Sequence, residues 1–199
     1  MNGTFFDIGL GLGLATACGI RPYLPALLAG ALGSSAVLGV RFRAGHFHFL
    51  QSGWWLFAVA VVLAATYLAQ LRMGTERFDA IASGMIAAHA LAVGALLFAG
   101  TLAAHGDAWW PGLAAGAAAA LLARGAVVPL IGGARSRLSD RAAREALTIY
   151  LDAASLALAG LIALVHPLGY LAPLLLAWLL VRARTRAGAK YAGLRIMRR

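Results

Sequence analysis

Five ionisable residues lie within or at the edge of long apolar stretches of this chain: Arg21, Asp79, His89, Arg124 and Asp152. Charged side chains are expensive inside a bilayer. They are retained there mainly where they pair, line a cavity or bind a ligand. These five residues are therefore the candidate substrate-binding residues.

The two arginines occupy matching places in two similar stretches. Residues 19–30 read GIRPYLPALLAG, and residues 123–132 read ARGAVVPLIG. Proline removes a backbone donor, so both helices are predicted to break or kink. Broken helices direct positive dipole ends into a cavity, and arginine adds donors suited to phosphate or carboxylate. The pattern predicts an anion site. The alternative is that Arg21 and Arg124 pair with Asp152 and Asp79 and lock the bundle together.

Asp152 and His89 also have two interpretations each. Asp152 is either the proton-carrying carboxylate of a coupled transporter or a partner in a salt bridge or hydrogen bond. His89 has no partner three or four residues away, which is typical of a core histidine, although a proton relay is the alternative.

Enzyme, cofactor and metal signatures are not found in the sequence. There is no phosphate-binding glycine loop with lysine, no HExxH and no nucleophile elbow, so neither catalytic residues nor a cofactor are predicted. His46 and His48 alternate with phenylalanines and lack nearby acidic or cysteine ligands. That loop is predicted to be an aromatic anchor at the membrane interface rather than a metal site.

The composition requires hydrocarbon as the solvent for most side chains. The 199 residues are 62% hydrophobic and 12% charged, about half the charge of a typical soluble domain. Six apolar blocks follow one another without strand-like alternation, which predicts an all-α polytopic transmembrane helix bundle. Their approximate bounds are 8–34, 54–71, 80–104, 109–133, 146–165 and 168–181.

The order of features suggests two repeats of three segments, each with a broken or re-entrant first segment. We predict one transmembrane domain over residues 1–181, with halves of about 1–104 and 105–181, and a basic tail over residues 182–199. Six spans would make the halves inverted repeats, a transporter plan. The alternative has four spans and two re-entrant hairpins. Six spans are slightly favoured because a lipid-facing hairpin leaves backbone groups unpaired.

Basic residues are distributed unevenly along the chain, and both topologies sort them in the same way. Thirteen would lie on one side with the tail, against Arg41 and Arg43 on the other. The positive-inside rule then predicts a cytoplasmic carboxyl terminus. The tail is expected to contact anionic headgroups. Arginines between apolar blocks, rather than on a polar chain, argue against nucleic-acid binding despite the net charge of +10.

The opening run ACGIRPYLPALL, residues 17–28, resembles the start of the bacterial membrane family DUF4126. Trp54-Trp55 before the second span, the acidic stretch with Glu76 and Asp79, and the position of Asp152 are similar to that family. Late in the second span, where members often carry acidic residues, this chain has Thr66 and Gln70. The resemblance implies a multi-pass membrane protein and no specific activity.

Two functions remain as hypotheses. The leading one is a small transporter or lipid flippase for an anionic substrate, because of the repeated arginine-proline blocks. The other is a non-catalytic scaffold or accessory subunit, because small residues also favour contacts between helices of different chains. The possible protein partners are a second copy of the chain or another membrane protein: a stoichiometric membrane-protein partner would favour the scaffold, and a lone homo-oligomer would favour the transporter.

Overall fold

The computed structural model describes residues 3–42 and 45–195, and within them the chain forms helices without strands. This confirms the predicted all-α bundle. Arg43 of the predicted loop charges and residues 196–199 of the predicted tail lie outside the described residues. The elements are α1 (Thr4–Ile20), α2 (Tyr23–Ser35), a 3-10 helix (Gly45–Gln51), α3 (Gly53–Met73), α4 (Thr75–Ala103), α5 (Trp110–Arg135), α6 (Arg141–Leu164) and α7 (Leu168–Arg195).

Five of these helices, α3 to α7, are long and apolar enough to cross a membrane. Large apolar side chains on their outer faces are exposed, as lipid-facing positions require. The protein is therefore a multi-pass integral membrane protein. Examples of the exposed side chains are Trp54, Leu71, Met85, Tyr150, Leu164 and Leu174.

The first apolar block folds back on itself as a re-entrant hairpin made of α1 and α2. At the start of α1, a Cβ built on Gly9 would lie 2.6 Å from the His166 carbonyl oxygen. After α2, the Leu38 carbonyl oxygen lies 3.0 Å from His166 Nε2. The beginning of α1 and the end of α2 therefore meet at one end of the bundle, which we call the hairpin end. Arg21 and Pro22 form the tip.

Two prolines explain why the chain reverses at this point. A residue before proline disfavours the helical conformation, and Arg21 is extended, with φ −149° and ψ 119°. Pro22 is the N-cap of α2, and Pro25 lies in its first turn. Neither proline costs a helical hydrogen bond there, because the first turn has free N–H groups in any case. A single straight helix would lose a bond at each of them.

The hairpin is enclosed by protein rather than lipid. The objection that a lipid-facing hairpin leaves backbone groups unpaired therefore does not apply to it. Arg21, Pro22, Tyr23 and Pro25 are all buried. The approach is close: a Cβ on Gly19 would lie 2.3 Å from the Ala120 carbonyl oxygen. Irregular backbone is tolerated at membrane depth when protein surrounds it. Within the described residues, the arrangement is one hairpin and five helices of spanning length, which matches neither the six-span nor the four-span alternative in full.

The fourth apolar block differs from the prediction. We expected a break or a kink near Pro129, and α5 continues without a break from Trp110 to Arg135. One proline removes a single hydrogen bond and displaces the carbonyl four residues earlier. That residue is Gly125, where an added Cβ would contact nothing within 4 Å. This exposed glycine lets the helix absorb the proline, and the prediction of a broken first segment holds only for the first half.

Spans α3 to α7 alternate in direction between the hairpin end and the opposite end. Asp7 and His105 meet at the hairpin end, with Asp7 Oδ1 3.1 Å from His105 Nδ1. Asp79 and Arg135 meet towards the opposite end, with Oδ2 and Nη1 2.5 Å apart. That second end, which includes the loop 136–140 and the extension of α7, is named the arginine-rich end. Its described basic side chains include Arg72, Arg77, Arg135, Arg137, Arg144, Arg182 and Arg184.

Candidate functional site

The tip of the hairpin places a charged pair in the interior of the bundle. Arg21 Nε lies 3.7 Å from Asp152 Oδ1, and both side chains are less than one-tenth exposed. The Tyr67 hydroxyl, from α3, donates a hydrogen bond to Asp152 Oδ2. The Arg21–Asp152 pairing considered from the sequence is therefore confirmed, and Tyr67 completes a group of three residues.

This pair is looser than a fully satisfied ion pair. The distance of 3.7 Å exceeds hydrogen-bond length, and among the described residues Asp152 Oδ1 has no hydrogen-bond partner. A buried carboxylate normally has its lone pairs satisfied. The Arg21 guanidinium is thus held near Asp152 by charge while its donors stay available for another acceptor.

A cavity of about 190 Å³ extends from Arg21 towards the arginine-rich end. Its polar wall residues are Arg21, Arg124, Arg135, Asp79 and Ser83. We call it the arginine cavity. The remaining lining is mostly apolar: Ile20, Ile86, Val127, Val128, Ile131, Gly132 and Leu151.

Arg135 and Asp79 close the outer part of this cavity. Besides its salt bridge to Asp79, Arg135 donates from Nη2 to Thr148 Oγ1 at 2.7 Å. Arg124 does not pair with Asp79, so that part of the predicted locking arrangement is wrong. Instead, Arg124 donates from Nη2 to the Ser83 carbonyl oxygen at 2.9 Å. Asp79 pairs instead with Arg135, the second arginine of α5, which lies at the end of that helix.

The cavity wall carries more positive than negative charge. Three arginines face one lining carboxylate, Asp79, while Asp152 approaches Arg21 from behind the wall. Apolar walls lower the local dielectric constant and strengthen the attraction for an anion. Arginine also presents a planar fork that matches carboxylate and phosphate oxygens. The geometry therefore suits a small anionic group.

A second set of polar side chains lies beside the hairpin tip. The hydroxyl oxygens of Tyr23 and Thr66 are 3.3 Å apart, and the Tyr23 ring lies 5.3 Å from the His89 ring between centroids. His89 Nε2 and Gln70 Nε2 are buried without a hydrogen-bond partner among the described residues. His89 thus packs against the hairpin and is outside the lining of the arginine cavity.

The predicted site residues are thus partly brought together. Arg21, Arg124 and Asp79 line one cavity, Asp152 supports Arg21, and His89 stands apart. Their role in substrate binding stays a prediction. Arg135 and Tyr67 were missed as site residues. The sequence patterns include Arg135 only among the thirteen basic residues on the side of the tail, although its position eleven residues after Arg124 puts both on the same side of a helix.

A third polar group occupies the hairpin end. His105 contacts Asp7 from the loop after α4, and His166 contacts Leu38 from the loop before α7. Asp7, Asp107 and His166 each keep one buried polar atom without a partner in the described part of the chain. None of the His, Cys, Asp and Glu groups in the described residues has an arrangement that could hold a metal ion.

Comparison with known families identifies one family that covers most of the chain. A family described as a domain of unknown function, DUF4126, matches residues 8–186. The chain belongs to the DUF4126 family. The match extends from α1 into α7, so in this member of DUF4126 the hairpin, the cavity and the Tyr67–Asp152–Arg21 group all lie inside the family region. No curated protein and no solved structure matches the chain.

Proposed function

We propose that this protein is a small transporter or lipid flippase for a substrate with a phosphate or carboxylate group. The observation that carries the proposal is the arginine cavity, where Arg21, Arg124 and Arg135 share one lining carboxylate. Intramembrane arginines are costly unless they pair or serve a substrate. Here two of the three have a carboxylate partner, and Arg124 has only a backbone carbonyl.

The arginines form successive positions along the cavity. Arg135 is at the end of α5, and Arg124 is eleven residues earlier, or about 16 Å deeper at 1.5 Å per residue. Arg21 lies at the hairpin tip, on the buried side of the same cavity. An anion entering at Arg135 would meet Arg124 and then Arg21. Several weak sites in series favour entry without trapping the ion.

The size and lining of the cavity limit what is bound. A volume of about 190 Å³ admits a small anion or the charged headgroup of a lipid, but not its acyl chains. The exposed Val128 and Gly132 belong to the same wall as the buried Arg21 and Ile86. The cavity therefore reaches from the interior to the outer surface of the helices, where acyl chains would remain in the bilayer.

The protein is proposed to reside in the bacterial cytoplasmic membrane with the arginine-rich end in the cytoplasm. The support is charge asymmetry: the described basic side chains of the loops and of α7 gather at that end, whereas Arg41 is at the hairpin end. By the positive-inside rule, the cavity then opens towards the cytoplasm and the hairpin enters from outside. The α7 extension would contact anionic headgroups.

Purified protein in liposomes tests the proposal. One arm measures uptake of labelled inorganic phosphate and of methanesulfonate, and the other measures movement of fluorescent phosphatidylglycerol between leaflets. Arg124→Gln is expected to lower the active arm at least tenfold, since it removes the cationic group between the other two arginines. Arg137→Gln, at an exposed loop position of the same end, is the matched control and should retain activity. Absence of flux in both arms under every gradient contradicts the proposal.

A second function, a scaffold or accessory subunit, is favoured by the outer face of α5. An added Cβ on Gly125, Gly132 or Gly133 would contact nothing within 4 Å. Exposed small residues allow another membrane helix to approach closely. A stoichiometric membrane-protein partner after purification in mild detergent, together with no flux, would support this function, whereas a lone homo-oligomer favours the transporter.

A further inference from the structure

We infer that Asp152 is a proton-binding group that couples protons to anion binding in the arginine cavity. The inference rests on the proposed function and adds a co-substrate to it. Arg21 belongs to two arrangements at once, since its side chain lines the cavity and also faces the Asp152 carboxylate. Asp152 and a bound anion are therefore alternative counter-charges for one buried guanidinium.

Anion binding beside Arg21 and proton binding at Asp152 are linked electrostatically. A buried arginine needs one compensating negative charge, and leaving it without one costs several kcal/mol. In the empty state Asp152 supplies that charge. When an anion occupies the cavity beside Arg21, two negative charges compete for it, and binding a proton at the Asp152 carboxylate relieves the excess. Anion and proton thus favour each other's binding by equal free energies.

The local geometry permits this exchange. The Arg21 to Asp152 distance of 3.7 Å is too long for a hydrogen bond, and Asp152 Oδ1 is buried without a partner in the described residues. That oxygen can accept the proton without breaking a hydrogen bond. Arg21 lies in the non-helical break between α1 and α2. Its side chain can therefore turn towards the cavity with little backbone cost.

Groups from several elements lie around Asp152. Arg21 Nε lies 3.7 Å from Oδ1, and Tyr67 donates a hydrogen bond to Oδ2. From α2, Tyr23 contributes an uncharged hydroxyl beside Thr66. From α5, Arg124 and Arg135 line the cavity, with Arg135 bonded to Thr148 one turn before Asp152. On α7, Tyr170 and Arg182 have their contacts elsewhere, because Tyr170 donates to the Phe5 carbonyl oxygen at the hairpin end and Arg182 stacks on Trp178.

Binding of methanesulfonate to the purified full chain tests the inference, because this probe keeps one negative charge from about pH 5 to about pH 8, the range where histidine and perturbed carboxyl groups titrate. Protonation removes the competing carboxylate, so affinity should rise as pH falls. For one linked proton the limit is about tenfold per pH unit. Asp152→Asn should bind tightly with a flat pH profile.

Controls separate coupling from a structural role. Asp140→Asn changes the exposed carboxylate that caps α6 and should keep the wild-type pH slope. If Asp152→Asn fails to fold, wild-type protein in weakly buffered solution should still take up a proton when methanesulfonate is added. Binding without proton uptake, or an Asp152→Asn protein with the wild-type slope, overturns the coupling alone. No binding of methanesulfonate or inorganic phosphate at any pH overturns the proposed function as well.

Discussion

The first and fourth apolar blocks contain the same kinds of residues and fold differently. Each has glycines, an arginine and proline, yet the first reverses at Arg21 and Pro22 whereas the fourth continues through Pro129 as a single helix. The difference is in spacing. Pro22 follows its arginine directly and Pro25 comes three residues later, whereas Pro129 stands alone, five residues after Arg124. Two prolines within one turn end the helix, whereas a single proline is accommodated inside a continuous helix.

The two blocks also differ in how far other helices surround them. The hairpin of the first block is surrounded by α4, α5, α6 and α7, and its tip is buried. The later part of the fourth block presents Val128, Pro129 and Leu130 at the outer surface. A backbone reversal requires protein around it at membrane depth. Arginine and proline therefore indicate a re-entrant tip only where other helices can enclose it.

The largest difference in stability between the two blocks is expected when the arginine of each block is replaced. Arg21→Met leaves Asp152 buried without its cationic partner and should lower the free energy of unfolding by about 3 kcal/mol. Arg124→Met loses one bond to the Ser83 carbonyl and should cost about 1 kcal/mol. Denaturation in mixed micelles measures both changes. The Arg21→Met loss should shrink when combined with Asp152→Asn, and equal costs for the two arginines would remove the contrast.

A smaller contrast is expected from the glycines. Gly19→Ala would force a Cβ to within 2.3 Å of the Ala120 carbonyl oxygen, and overpacking of this kind costs about 1–3 kcal/mol. Gly132→Ala meets open space and gains helix propensity of up to about 1 kcal/mol. Thermal unfolding in detergent should show shifts of opposite sign. A Gly19→Ala protein as stable as wild type would show that α1 does not pack closely on α5.

The smallest contrast concerns the prolines. Pro22→Ala frees the unfolded chain at a position where the fold already has φ −76°, so stability should fall by about 0.5–1 kcal/mol. Pro129→Ala restores a backbone donor inside α5 and should be neutral or stabilising. Thermal unfolding in detergent shows whether each substitution raises or lowers the stability. A stabilising Pro22→Ala would mean that the break after α1 is strained rather than favoured by sequence.

Much of the bundle followed from the sequence because it depends on composition. Block lengths and hydropathy predicted the spans, and α7 extends beyond the predicted last block, 168–181, to Arg195. The re-entrant tip was one of two open alternatives, because charge counts are the same for both. The deciding factor is the burial of Arg21 and Tyr23 by helices distant in sequence, which local patterns do not contain.

The candidate site was predicted in its charged members and incompletely in its partners. Arg21, Arg124, Asp79 and Asp152 stand out because charge is rare in apolar blocks. Tyr67 and Arg135 do not, since a tyrosine is ordinary in a span and an arginine is ordinary at its end. Which arginine pairs with Asp79 depends on how α4 and α5 are aligned, and that register follows from close glycine contacts rather than from charge.

The central claim is the re-entrant hairpin, and side-specific labelling tests it most directly. Single cysteines would replace Gly3, Ser35 and Ser139 in a Cys18→Ser background, in sealed membranes treated with an impermeant maleimide. Gly3 is the N-cap of α1, Ser35 ends α2, and Ser139 lies at the arginine-rich end. With the hairpin, positions 3 and 35 are labelled from the same side and position 139 from the other. Labelling of positions 3 and 35 from opposite sides would mean that the first block spans the membrane, and the hairpin would be wrong.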